Sequence, residues 1–155
     1  MTPRIKTVFA IAVLCLLSAC ASGPKKIVNP PKASIQELAV QPDGSWRLTL
    51  RLQNFSNVST AFAQLDAKLY VGGQDAGTLA VRPAITVGPE SADVVSATLT
   101  PALGAKLVVA SALASRRSAT YTLTGSIRTS EPKGSYPFTH DSTLDPAPGL
   151  TGVMR

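Results

Sequence analysis

Ser45–Asn54, SWRLTLRLQN, decides the fold class. Trp46, Leu48, Leu50 and Leu52 take every second position, and Arg47, Thr49, Arg51 and Gln53 fill the places between. A period of two puts the apolar side chains on one face of a β-strand and the polar ones on the other. A strand with one wet face fits an antiparallel sheet, because parallel sheets are covered on both sides and read as continuous apolar runs. QPDG at Gln41–Gly44 supplies a turn just before it, so Ala33–Val40 is expected to pair with Ser45–Asn54 as a hairpin.

The same rhythm continues downstream. Gln64–Val71, QLDAKLYV, sets Leu65, Ala67, Leu69 and Val71 against Asp66, Lys68 and Tyr70. GGQDAG at Gly72–Gly77 is a turn, followed by short extended pieces at Thr78–Val81 and Ala84–Val87 that Pro83 interrupts. After GPES at Gly88–Ser91, the strand Ala92–Leu99 places Val95, Ala97 and Leu99 on one face and Val94 on the other. In Ala119–Thr129, Tyr121, Leu123, Gly125 and Ile127 alternate with Thr120, Thr122, Thr124 and Ser126, and threonine suits an exposed strand face. SEPKG at Ser130–Gly134 reads as a hairpin loop leading to Ser135–Asp141.

Only Thr100–Arg117, TPALGAKLVVASALASRR, breaks this pattern. Thr100 is the expected N-cap, with Pro101 at the first helical position. Leu103, Leu107, Ala110 and Leu113 or Ala114 recur at helical spacing, and Arg116 and Arg117 suit the negative end of a helix dipole. Gly104 and the Val108–Val109 pair pull the other way, and a strand at Lys106–Ala110 is the competing reading. Together these elements point to a mainly β fold, an antiparallel β-sandwich of fibronectin III or immunoglobulin-like type, with about seven strands and one late α-helix.

The start of the 155-residue chain has a different character. MTPRIK carries Arg4 and Lys6 and no acid, and Val8–Leu17, VFAIAVLCLL, is uncharged. That matches the n- and h-regions of a signal peptide and is too short to span a bilayer. LLSAC at Leu16–Cys20 resembles the bacterial lipobox. The resemblance implies a signal peptide over 1–19, cleavage between Ala19 and Cys20, and a lipid on the Cys20 sulfur. The partner at this end would be the membrane. An Asp just after the cysteine favours inner-membrane retention in Gram-negative lipoproteins; with Ala21 and Ser22 in those places, the resemblance implies the outer membrane, facing the periplasm. One acyl chain holds a protein only marginally, and two or more anchor it stably. Residues 20–32 then form a lipidated tether rich in Pro and Gly, 33–143 the sandwich domain, and 144–155, LDPAPGLTGVMR, a tail that lies along the surface or moves freely. Lys25, Lys26 and Lys32 stand near the anchor, either as a solubilising linker or where an anionic leaflet would meet them.

Catalytic chemistry finds little support. The formal charge of +6 falls by two once Arg4 and Lys6 leave with the signal, a mild balance that together with export argues against nucleic acid. Cys15 is lost with the signal and Cys20 is blocked, so no thiol remains. The one histidine, His140, is followed directly by Asp141 and Ser142, and neighbours on a strand face opposite ways. No nucleophile–base–orienter chain, metal site or phosphate loop is expected, and no cofactor. Arg47, Arg51, Thr49 and Gln53 form a polar stripe, either a partner surface or a solvated sheet face.

In order, PKASIQELAV, the asparagine loop of LRLQNFSNVS, LDAKLYVGGQDAGTLAV, VGPESADVVSATLT, a helix and YTLTGSIRT resemble the late embryogenesis abundant type 2 family, the water-stress and hypersensitive-response (WHy) domain. The family's Asn-Pro-Asn loop is here Asn54-Phe55-Ser56-Asn57, without the proline, though Asn54 and Asn57 still supply side-chain turn bonds. The resemblance implies a fibronectin-like sandwich plus a helix, a role in tolerance of desiccation or cold, and no catalytic residues. The expected function is therefore a non-enzymatic, lipid-anchored envelope protein acting in water-stress protection on client proteins. The alternative is an envelope binding or assembly module for a protein partner or apolar ligand.

Overall fold

Alternating strands with one apolar face must stack those faces, and they do so as two sheets. The computed structural model describes Gly23 and residues 25–155. Its strands are β1 (Lys32–Val40), β2 (Trp46–Gln53), β3 (Thr60–Val71), β4 (Gln74–Val81), β5 (Ile85–Val87), β6 (Ala92–Leu99), β7 (Ala119–Glu131), β8 (Lys133–Leu144) and β9 (Val153–Met154). The helix α1 (Leu103–Ser115) lies between β6 and β7. One sheet has the order β6-β2-β1-β9 and the other β4-β3-β7-β8, with β5 added to β3. All pairings are antiparallel.

The expected hairpin forms, with Val40 opposite Trp46 and Ile35 opposite Leu50. Trp46, Leu48, Leu50 and Leu52 are all buried, as are Leu65, Leu69 and Val71 from the facing sheet and Leu123 and Ile127 beside them. Each such side chain removed from water stabilises the fold by roughly 2 kcal/mol. Gly125 is fixed by the closeness of two backbones. A Cβ there would stand 2.0 Å from the Asp66 carbonyl oxygen and 2.6 Å from the Ala67 Cα.

Several boundaries differ from the sequence reading. The expected turn over Gly72–Gly77 contracts to Gly72 and Gly73, both at positive φ, and β4 starts at Gln74. Two glycines suffice for a hairpin turn of the sense that matches strand twist. The Ser130–Gly134 loop likewise contracts, so β8 begins at Lys133. The described residues hold nine strands where about seven are expected, and β9 comes from the stretch expected to be a tail.

That tail belongs to the domain. Asp145 and Arg155 exchange backbone hydrogen bonds of 2.6 and 2.8 Å, and Ala147 N–H reaches the Val153 carbonyl at 2.9 Å. Residues 145–155 thus form a small hairpin whose return strand pairs Val153 and Met154 with Ala39 and Leu38 of β1. Met154 is fully buried, and the Arg155 guanidinium holds the Glu37 carboxylate at 2.8 Å.

The helix exists, which overturns the strand alternative at Lys106–Ala110, but it starts and faces differently. Ala102 is the N-cap and makes no side-chain cap bond; Thr100 is not the cap, and Pro101 precedes the helix. Ala105, Val109 and Ala112 face the core, while Leu103 and Leu107 face solvent. Small side chains let the helix lie close to the sheets, with Val108 against Gly72 and Gly104 against the Gln74 side chain.

Candidate functional site

Strand direction sorts the loops into two ends. The helix end gathers the β1–β2 turn, the β3–β4 turn, α1 and the hairpin 145–155. The entry end gathers residues 25–31, the Asn54–Ser59 loop, the Gly88–Ser91 turn and the β7–β8 turn.

At the entry end the structure is built on asparagine. Asn54 is buried, and its Nδ2 donates to the carbonyls of Val58 (2.8 Å), Gly88 (2.8 Å) and Val87 (3.2 Å), while its Oδ1 accepts the Ser56 N–H at 2.9 Å. One side chain thus closes its own loop and ties it to the end of β5 and the turn that follows. Asn57 and Ser56 then hold the entering chain. Ile27 N–H donates to Asn57 Oδ1 (2.7 Å), Asn57 Nδ2 donates to the Lys25 carbonyl (2.8 Å), and Asn29 N–H donates to Ser56 Oγ (2.9 Å). Asn29 Nδ2 reaches the Phe55 carbonyl at 2.8 Å. Much of the expected tether, from Lys25 onward, is therefore fastened to the domain, and Lys32 already lies in β1.

The helix end is apolar and grooved. Lys106 is the one charged residue within α1, so the helix is apolar on its outer as well as its inner side. Such a helix is normally covered all round. Here Leu103 is 72% and Leu107 63% exposed. Beside this ridge a trough of about 450 Å³ runs between α1 and the β1–β2 turn, lined by Val40, Trp46, Lys106, Val109 and Leu113. It shares Ala110, Leu113, Thr151 and Gly152 with a groove of about 960 Å³ between α1 and the hairpin 145–155, where Arg116, Asp145 and Leu150 stand. A third depression, of about 430 Å³, flanks Leu107 on the other side, towards Ser111, Ser115 and Arg117.

The residues weighed for catalysis do not converge. His140 is half-buried and sits 6.0 Å from the Tyr121 ring, tilted by 49°. Asp141 instead accepts the Thr122 hydroxyl at 2.5 Å on the exposed side. Burial pushes the Tyr121 phenol above its ordinary pKa of 10.0, which the Ile35 N–H partly offsets by bonding to the phenol oxygen at 3.1 Å. That group stays protonated at neutral pH. Arg47 and Arg51 are exposed on the outer face of their sheet, with Arg47 within 3.4 Å of the Gln41 side chain. No group of three or more potential metal ligands occurs among the described residues, and no described helix is long and apolar enough to cross a membrane. Cys20 and the cleavage position lie outside the described residues.

No protein-family model matches the chain, and no curated protein sequence matches it. Solved structures give partial likenesses. A crystal structure of a protein from Archaeoglobus fulgidus is 15% identical, covers 78% of this chain and 98% of its own, and superposes with a TM-score of 0.42. A protein from Arabidopsis thaliana solved in solution is 10% identical over 83% of this chain and 85% of its own, with a TM-score of 0.49. A late embryogenesis abundant protein, also solved in solution, is 13% identical over 94% and 85%, with a TM-score of 0.47.

The helix ridge was not visible as a site in the sequence. Leu103 and Leu107 stand at i and i+4, the spacing that normally marks a buried face. The signal lay instead in Ala105, Val109 and Ala112, a smaller apolar stripe on the same helix.

Proposed function

We propose that the chain is a non-enzymatic, lipid-anchored envelope protein that covers apolar segments of client proteins when water is withdrawn. The observation that carries this reading is the solvent-facing ridge of Leu103 and Leu107 between its two troughs. Covering two half-to-three-quarters exposed leucines yields about 2–3 kcal/mol. That falls short of the roughly 4 kcal/mol of a millimolar complex. Contacts of this strength form and release readily, which suits transient cover of many clients better than a stable complex. The setting in water stress is supported by the ordered resemblance to the late embryogenesis abundant type 2 family. The anchor on Cys20 and the outer-membrane location are supported by the lipobox and by Ala21 and Ser22. A non-catalytic role is favoured by Asp141 lying on the opposite face of its strand from His140 and Ser142, where its carboxylate accepts the Thr122 hydroxyl.

The test is recovery of a labile enzyme after drying, with the chain from Ala21 to Arg155 added. Recovery should exceed that given by an equal mass of an unrelated β-sandwich, and Leu103→Ser with Leu107→Ser should remove most of the excess. Equal recovery with the unrelated sandwich sinks the protective reading. The groove beside the hairpin 145–155 favours a second reading, a module that binds one partner or apolar ligand, since its volume lies in the range of ligand sites. Crosslinking of the acylated protein in intact cells separates the two: a single stoichiometric partner supports the module, and a broad client set supports protection.

A further inference from the structure

We infer that the entry end of the sandwich is a membrane-contact face, seated on the anionic lipid surface beside the anchor. The inference uses the acyl anchor at Cys20 proposed above for its distance argument, and the surface itself for its chemistry.

Distance comes first. Lys25 is clamped by its carbonyl to Asn57, and Cys20 lies five steps back along the chain. Even fully extended, five residues reach about 18 Å. An acylated Cys20 sits at the headgroup level, so the clamped residues cannot stand farther than that from the leaflet. With a free tether through Lys32 the domain would have roughly twice the leash, and the clamp made by Asn57, Ser56 and Asn29 removes that slack.

The surface chemistry fits what lies beneath. Ile27 is 50%, Val28 46% and Phe55 39% exposed, a cluster of large apolar side chains around the clamp. The Lys32 ammonium lies 5.9 Å over the Phe55 ring, and Lys25 and Lys26 are exposed on the same entering segment. Apolar side chains ringed by lysines suit the boundary between acyl chains and anionic headgroups. Each lysine held near such a leaflet strengthens attachment roughly fivefold. Glu90, whose N–H donates to the Ser56 carbonyl at 3.0 Å, is an acid on this rim and opposes part of that gain. Seated this way, the domain directs α1 and its grooves away from the membrane, towards soluble clients.

Two measurements test the inference and keep it separate from the anchor. First, the unacylated chain from Ala21 to Arg155 is sedimented with vesicles of phosphatidylglycerol and phosphatidylethanolamine, and with vesicles of phosphatidylcholine alone. Partition should be at least tenfold higher on the anionic vesicles. It should fall at least tenfold in the Lys25→Gln, Lys26→Gln, Lys32→Gln variant, fall again with Phe55→Ser, and be unmoved by Leu107→Ser. These exposed positions can change without unfolding the domain, which circular dichroism checks. Equal partition to both vesicle types, or an equal loss with Leu107→Ser, overturns the contact face. Second, the mass of full-length protein from membranes reports whether Cys20 is acylated. A bare Cys20 with anionic binding intact removes the anchor and leaves the face standing; an acylated Cys20 without anionic binding removes the face and leaves the anchor.

Discussion

Replacing Asn54 with Ala should be among the most costly changes available at a single polar side chain in this domain. The side chain is 1% exposed and satisfies the carbonyls of Val58 and Gly88, shares a weaker bond with Val87, and accepts the Ser56 N–H. Alanine leaves two carbonyls and one N–H without partners in a place where water reaches only the rim. A buried group left unpaired costs about 1–3 kcal/mol, so three partly wetted ones cost about 3–5 kcal/mol together. Whole domains are stable by only about 5–15 kcal/mol. At about 4 °C per kcal/mol for this size, Tm should fall by roughly 12–20 °C. Trp46 is the single tryptophan and is buried, so its fluorescence reports the transition. Asn54→Asp sharpens the test. It turns donors into lone pairs that face three carbonyls, raising the folded pKa of that carboxyl above its unfolded value. Unfolding free energy of this variant should therefore come nearest to that of the parent below about pH 3.9, fall behind as pH rises above that, and level off once the folded pKa is passed. An Asn54→Ala protein that melts within about 3 °C of the parent with the same denaturant dependence would refute the reasoning.

Met154→Ala should destabilise by about 2–3 kcal/mol, at the lower end for a buried methionine because the chain end can relax; removing Asp145–Arg155 altogether should cost more, and urea titration compares the two. Gly125→Ala should cost more than about 3 kcal/mol, since its Cβ meets the backbone of Asp66 and Ala67 and neither strand can move away without breaking the pairing of β3 with β7; a melt unchanged from the parent would show that the strands stand farther apart. The Ser45 hydroxyl, helped by the Ser45 N–H at 2.9 Å, holds the Asp43 carboxyl below its ordinary 3.8. A depressed acid lends its stability above the unfolded pKa and loses it as pH falls through the folded one. The Asp43 carboxyl carbon should thus titrate by NMR below 3.8, and Ser45→Ala should move the midpoint up towards 3.8.

Strands were legible wherever one face is wet. Trp46 to Leu52 and Leu65 to Val71 announce both their period and their inward face, because solvent on one side enforces alternation. Val153 and Met154 were illegible, since two residues carry no period and the Pro and Gly around them read as a loop. Pairing with β1 depends on Leu38 and Ala39, more than a hundred residues away. The helix was legible as a helix and misleading as to its face. Leu103 and Leu107 recur at helical spacing, but close approach to Gly72 and to β4 leaves room on the inner face only for alanine and valine. At the entry end, Asn54 makes the expected turn bond to the Ser56 N–H, whereas the Asn57 side chain bonds the entering chain at Lys25 and Ile27. Asn54 ties together segments more than thirty residues apart, and Asn57 fastens a stretch that composition marks as free.

The clamp at Asn57 also decides how the domain bears force. Tension applied through residues before Lys25 first meets a handful of side-chain bonds that open one after another, like stitches. Behind them β1 runs lengthwise from the entry end, flanked by β2 on one side and β9 on the other. A pull along its axis must slide the whole strand at once, loading all those ladder bonds in parallel. The clamp yields early and cheaply, the strand late and at high load, and the first can close again when tension drops.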